Sequence, residues 1–167
     1  MTYYNLLYAN GLSEFLLKIK NAGADGVIVP DVPFEESGEL SSAARKNGLQ
    51  LIQLVAPTTD GTRLEKIVKS AEGFIYIVSV IGTTGARENT SQDAIELMKK
   101  IRGIRTDIPL AIGFGISTAE HARAYTKEGA NGIIVGSRLV NIYTKALEEN
   151  EGKALKELAK FATELSK

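Results

Sequence analysis

Short unbroken apolar runs alternate along this chain with stretches whose apolar residues return every three or four positions. The runs are Gly26-Val27-Ile28-Val29-Pro30, Leu49 to Val55, Phe74-Ile75-Tyr76-Ile77-Val78-Ser79, Leu110-Ala111-Ile112 and Gly132-Ile133-Ile134-Val135. Continuous apolar segments of this length, closed by glycine, proline or a polar turn, predict strands buried on both faces. Residues 2–8 (Thr-Tyr-Tyr-Asn-Leu-Leu-Tyr) add a further run of β-formers at the start. Between the runs, helices are predicted over 14–21 with Ser13 as N-cap, from Pro33 to Lys46, over 62–71, from a cap at Ser91 to about Gly103, and over 118–128. The tail from Arg138 reads as one or two amphipathic helices broken near Asn150, with Leu155, Leu158, Phe161 and Leu165 turned inward.

Strand centres fall near Tyr3, Ile28, Ile52, Tyr76, Ala111 and Ile134, about 24 residues apart with one longer gap after Tyr76. That is the period of a βα repeat, so a parallel sheet with right-handed crossovers follows. An open doubly wound sheet accommodates six strands. A (β/α)8 barrel needs eight, yet the chain starts inside a strand with no preceding loop or helix. The reading adopted is an α/β protein of TIM (β/α)8 barrel type with about six βα units present, an incomplete barrel. No linker or low-complexity segment divides residues 1–167, so they form one domain.

Composition narrows the function without choosing it. Apolar residues make up 44% and charged residues 24% of 167, and twenty basic residues balance twenty acidic ones. That balance gives no basic stripe for nucleic acid, and no run reaches the roughly 20 apolar residues that span a bilayer. The first residues lack a signal peptide's pattern, so a cytoplasmic protein is expected. Without cysteine and with one histidine, disulfides, thiolate sites and multi-histidine metal sites drop out.

The chemistry-bearing pattern lies near the carboxyl end. Gly113-Phe114-Gly115-Ile116-Ser117 and Val135-Gly136-Ser137 each close an apolar run and open a helix. Two adjacent strand-to-helix turns of this kind can aim backbone N–H groups at one anion, because helix N-termini carry partial positive charge and glycine admits close approach. Barrels often build a phosphate site after their last two strands. Gly82-Thr83-Thr84-Gly85-Ala86-Arg87 lies in the longest loop and has the look of a lid. Asp31, Glu35 and Glu36 cluster after the run at 26–30; the two glutamates suit the first turn of a helix. His121 is expected on a helix surface.

Seven segments in order, Met-Thr-Tyr-Tyr-Asn (1–5), Val-Pro-Asp-Val-Pro-Phe-Glu-Glu-Ser (29–37), Val-Ala-Pro-Thr-Thr (55–59), Gly-Phe-Ile-Tyr-Ile-Val-Ser (73–79), Gly-Thr-Thr-Gly-Ala-Arg (82–87), Gly-Phe-Gly-Ile-Ser (113–117) and Val-Gly-Ser (135–137), resemble successive strand-end motifs of the tryptophan synthase alpha subunit. The resemblance runs through nearly the whole chain and covers the last two-thirds of the family's length. It implies a TIM barrel lyase that cleaves indole-3-glycerol phosphate to indole and glyceraldehyde 3-phosphate. It also implies a beta-subunit partner in an alpha2beta2 assembly, with pyridoxal phosphate in the beta subunit and no cofactor or metal in this chain.

By that resemblance Gly85, Gly115, Gly136 and Ser137 hold the phosphate and Phe114 flanks the indole ring. Tyr76 supports catalysis, Thr84 belongs to the lid, and Asn5 and Asp31 face the partner. The family's acid–base glutamate and aspartate fall upstream of Met1. The 167-residue chain is therefore expected to be poorly active or inactive alone. The alternative is a non-catalytic remnant that binds a phosphate ligand or the beta subunit.

Overall fold

The computed structural model describes residues 1–79 and 91–166. Five parallel strands, β1 (Gly26–Ile28), β2 (Gln50–Val55), β3 (Ile75–Val78), β4 (Leu110–Gly113) and β5 (Gly132–Ile134), form one sheet in the order β1-β2-β3-β4-β5. Every crossover steps one place in the same direction. A doubly wound sheet reverses direction once, so the sequential order excludes it. With right-handed crossovers the connecting helices all fall on one face, as in the wall of a (β/α)8 barrel.

Register sorts the strand residues between the two faces. Leu54, Tyr76, Ala111 and Gly132 lie level across β2 to β5. The alternate residues Ile75, Ile77, Leu110 and Ile112 are fully buried against the helices. There they join Leu64, Ile67 and Val68 of α4 (Gly61–Ser70), Met98 and Ile101 of α5 (Gln92–Ile104), and Ala122 and Tyr125 of α6 (Ala119–Lys127). A smaller core gathers Leu7 of α1 (Tyr4–Ala9), Leu16 of α2 (Leu12–Asn21), and Leu40 and Ala44 of α3 (Gly38–Lys46) over Val27 and Leu51. The tail forms α7 (Ser137–Leu147) and α8 (Glu151–Leu165), separated at Asn150, whose side chain accepts from Lys153 N at 2.8 Å.

Several expectations are corrected. Residues 2–8 are not a strand: Tyr3 is extended (φ −85°, ψ 150°), Thr2 N–H donates to Ile28 O at 3.0 Å, and α1 begins at Tyr4. The β-propensity of the tyrosines yields to tertiary context: Asp31 accepts the Tyr4 N–H at the start of α1, and the helix buries Leu7. Ser13 sits inside α2, whose N-cap is Gly11 at φ 77°. The helix expected from Pro33 is split into a 3₁₀ turn (Phe34–Glu36) and α3. Ser37 lies at the break, where its hydroxyl donates to Phe34 O at 2.7 Å. Leu155 is 55% exposed; the inward stripe of α8 runs through Ala154, Leu158, Phe161 and Leu165 instead. His121 is buried at 9% exposure, since α6 turns His121, Ala122 and Tyr125 together toward the core. Ser91 caps α5 as expected, accepting from Ala94 N, and Ser91 N–H in turn donates to Tyr125 Oη at 2.8 Å.

The amino ends of the strands are tied by arginines. Arg102 Nη1 donates to Ile108 O at 2.5 Å and Nη2 to Asn131 Oδ1 at 2.6 Å, and that same oxygen accepts Leu110 N–H at 2.9 Å. Arg105 Nη1 donates to Ala71 O at 2.7 Å. Among the described residues, no helix is long and apolar enough to cross a membrane.

Candidate functional site

At the carboxyl ends of β4 and β5, Gly113 and Ile134 are register partners. Two residues further along each strand come Gly115 and Gly136, so the two glycine turns stand side by side. In the first, Phe114 adopts φ 70° and Gly115 φ 74°. Glycine takes this left-handed region freely. Phenylalanine does not, and a non-glycine residue held there costs roughly 1–3 kcal/mol. Phe114 is the sole non-glycine residue with positive φ among the described residues, and it remains 36% exposed at the mouth of the strand.

Ser79, just past the end of β3, supplies the restraint. Its N–H donates to Gly113 O at 3.0 Å, and its buried hydroxyl donates to Phe114 O. Tyr76 completes the group. Its ring is 4% exposed and lies 6.2 Å from that of Phe114, with the planes tilted by 40°. A Cβ built on Gly113 would come within 2.5 Å of Tyr76 Cε2, so the glycine leaves room for the ring. Ala111 and Gly132, level with Tyr76, are also small. Burial pushes the Tyr76 phenol above the ordinary tyrosine pKa and keeps it a neutral donor.

In the second turn Gly136 is the N-cap of α7, and no side chain caps that helix end. Ser137 is the first helical residue, not the cap, and is exposed. Gly136, Ser137 and Arg138 of this first turn are exposed, and a helix start carries unpaired N–H donors and partial positive charge. The structure thus brings Phe114, Gly115, Gly136 and Ser137 to the carboxyl ends of β4 and β5, with the ring of Tyr76 from β3 beside Phe114. Thr84, Gly85 and the rest of the segment 80–90 lie outside the described residues. Ser79 escaped the sequence reading; the available signal was a polar residue closing an apolar run at a strand's carboxyl end.

The acidic cluster forms a separate place. Both Asp31 carboxylate oxygens accept Tyr4 N–H, at 3.0 and 3.1 Å, so Asp31 holds the start of α1 and Asn5 lies in that first turn. Glu35 forms a two-pronged pair with Arg63 at 2.8 and 3.2 Å. The Arg63 hydrogen bond, then a backbone one, lowers the Glu35 carboxyl below its usual range. A cavity of about 230 Å³ opens beneath this loop, lined by Pro30, Asp31, Phe34, Leu54 and Arg63. It lies at β1 and β2, away from the glycine turns. Among the described residues, no group of three histidine or acidic side chains could hold a metal.

A single-wound parallel sheet with paired glycine turns beyond its last two strands defines a member of the TIM-barrel class, a fold whose sites sit at the strands' carboxyl ends. A sequence profile described as tryptophan synthase alpha chain matches residues 1–167. The chain belongs to the tryptophan synthase alpha chain family. The alpha chain of Methanoregula boonei is 47% identical over 147 residues, 88% of this chain and 55% of that protein. The Arabidopsis thaliana alpha chain is 43% identical over 164 residues, 98% of this chain and 58% of that protein. A solved Pyrococcus furiosus structure, described as the basis of mutual activation of the tryptophan synthase a2b2 complex, superposes with a TM-score of 0.87 at 41% identity. It covers 99% of this chain and 64% of its own. The chain spans a little over half the length of the curated relatives it matches.

Proposed function

We propose that this chain serves tryptophan biosynthesis as the substrate-gripping part of an alpha chain, a lyase acting on indole-3-glycerol phosphate in the cytoplasm. The reaction breaks the carbon–carbon bond between indole C3 and the glycerol side chain. A proton goes to C3 and another leaves the glycerol hydroxyl, yielding indole and glyceraldehyde 3-phosphate. Main-chain N–H groups of Gly115, Gly136 and Ser137, with the Ser137 hydroxyl and Gly85, receive the phosphate dianion. Phe114 packs against the indole, and the neutral Tyr76 phenol donates near the breaking bond. Thr84 belongs to the segment that closes over substrate. Proton transfer alone meets the needs of this cleavage, so no cofactor or metal is assigned to this chain; pyridoxal phosphate belongs to the beta chain. The face carrying Asn5 and Asp31 meets that beta chain in an alpha2beta2 assembly.

The observation that carries the reading is the pairing of two glycine turns on adjacent strands, with an aromatic residue held in a left-handed conformation in the first of them. The test is turnover of indole-3-glycerol phosphate by the 167-residue chain and by a version preceded by the family's first strands. The extended version is expected to turn over faster by orders of magnitude, since each acid–base group contributes roughly 10²–10⁴. Equal turnover would overturn the assignment of the acid and base to the family's first strands. Binding of substrate or beta chain with no turnover in either version would favour the second reading, a non-catalytic binding remnant.

A further inference from the structure

We propose that Ser79 is a positioning residue of the phosphate site: its hydroxyl fixes the plane of the Phe114–Gly115 peptide and so aims the Gly115 N–H at the anion. The inference rests on the phosphate reading of the two turns. It starts from the strand order, in which β3 and β5 flank β4 on opposite sides. Ser79 follows β3, and its hydroxyl holds Phe114 O. In a trans peptide the carbonyl and the following N–H point in opposite directions, and there is no cis bond among the described residues. A Phe114 carbonyl drawn toward the β3 side therefore turns the Gly115 N–H toward the β5 side. Gly136 and the open end of α7 stand there.

The same bond explains how Phe114 stays at φ 70°. Left to itself, the residue would relax to a negative φ. That relaxation would rotate the peptide plane and swing both the Gly115 amide and the Phe114 ring. Ser79 is 2% exposed, so its hydroxyl has little water to turn to in place of Phe114 O. Its N–H bond to Gly113 O belongs to the backbone and survives any side-chain change. A variant lacking the hydroxyl is therefore expected to fold with its β3–β4 pairing in place.

The experiment is a titration of the full chain with inorganic phosphate, followed by amide nitrogen–proton correlation spectra, for the parent, Ser79→Ala and Ser79→Thr. The parent is expected to shift its Gly115, Gly136 and Ser137 amides. Ser79→Ala is expected to bind roughly tenfold more weakly, as for a misdirected hydrogen bond to a charged ligand. Its Gly115 response disappears while those of Gly136 and Ser137 persist. Ser79→Thr keeps the hydroxyl and recovers the affinity. Unchanged affinity with a responding Gly115 amide in Ser79→Ala would overturn the proposal, as would equal losses in the Ala and Thr variants. If the parent shows no phosphate response, the phosphate reading itself fails. The three-bond amide–Hα coupling of Phe114 then decides the positioning role. A move of φ to negative values in Ser79→Ala supports it, and a retained left-handed φ overturns it.

Discussion

Tyr76 and Gly113 compete for one volume, and the outcome sets the floor of the candidate site. Gly113→Ala would force its methyl group into the Tyr76 ring. Overpacking of this kind costs about 1–3 kcal/mol, to be read as a lowered denaturant midpoint, and it should also displace Phe114, which stacks on the same ring. The Tyr76 phenol provides a pH signature. Its folded pKa is raised by burial, so its contribution to stability is complete below the ordinary tyrosine value. It is lost as pH rises from there through the raised folded value. Ultraviolet titration against Tyr76→Phe should isolate one late-ionising phenol, and an ordinary midpoint would contradict the burial. Gly115, Gly136 and Phe114 were legible in the sequence because each ends an apolar run at a helix start. Ser79 was not, because its partner lies 35 residues away and only the β3–β4 register brings the two together.

Among the elements, α1 shows where local pattern misleads. Two tyrosines and two leucines look like a strand end, yet Asp31 captures Tyr4 N–H from 27 residues away and starts a helix. Asp31→Ala should cost about 1 kcal/mol, as the loss of an N-cap does, with faster hydrogen exchange at Tyr4 and no change in the β4–β5 turns. The neighbouring 3₁₀ turn is coupled to α4 through Glu35 and Arg63. Because Arg63 lowers the Glu35 pKa, this pair supports the fold fully above the ordinary glutamate value. Its support fades as pH falls through the lowered one. Arg63→Gln should bring the Glu35 carboxyl midpoint, followed by carbon NMR, back up toward the ordinary value. Helices with a side-chain cap (Ser91, Thr118, Asn150) were placed within a residue or so from sequence. The starts of α2, on Gly11 with no capping side chain, and of α3, after a hydroxyl-bonded break, were not, since nothing local announced them.

At the scale of the molecule, the sheet runs in one direction and stops at β1 and β5. Exposed apolar side chains stand near both ends of the sheet order: Leu6, Tyr8 and Leu17 on α1 and α2, Val140, Leu147 and Leu155 on α7 and α8. Open edges beside apolar surface favour association. The isolated chain is expected to show a concentration-dependent apparent mass by light scattering, reduced by Leu6→Lys together with Val140→Lys; a compact monomer at all concentrations would contradict this. The βα period and the parallel class were legible in the sequence. Strand order was not, because only pairing shows that the sheet never turns back. Arg102, Asn131 and Arg105 knot the strands at their amino ends, whereas the glycine turns occupy the opposite ends. The tied ends and the ends that carry the candidate site are therefore spatially divorced. Loops at the glycine end could be swapped for those of another barrel, altering what is recognised while the frame that presents them endures.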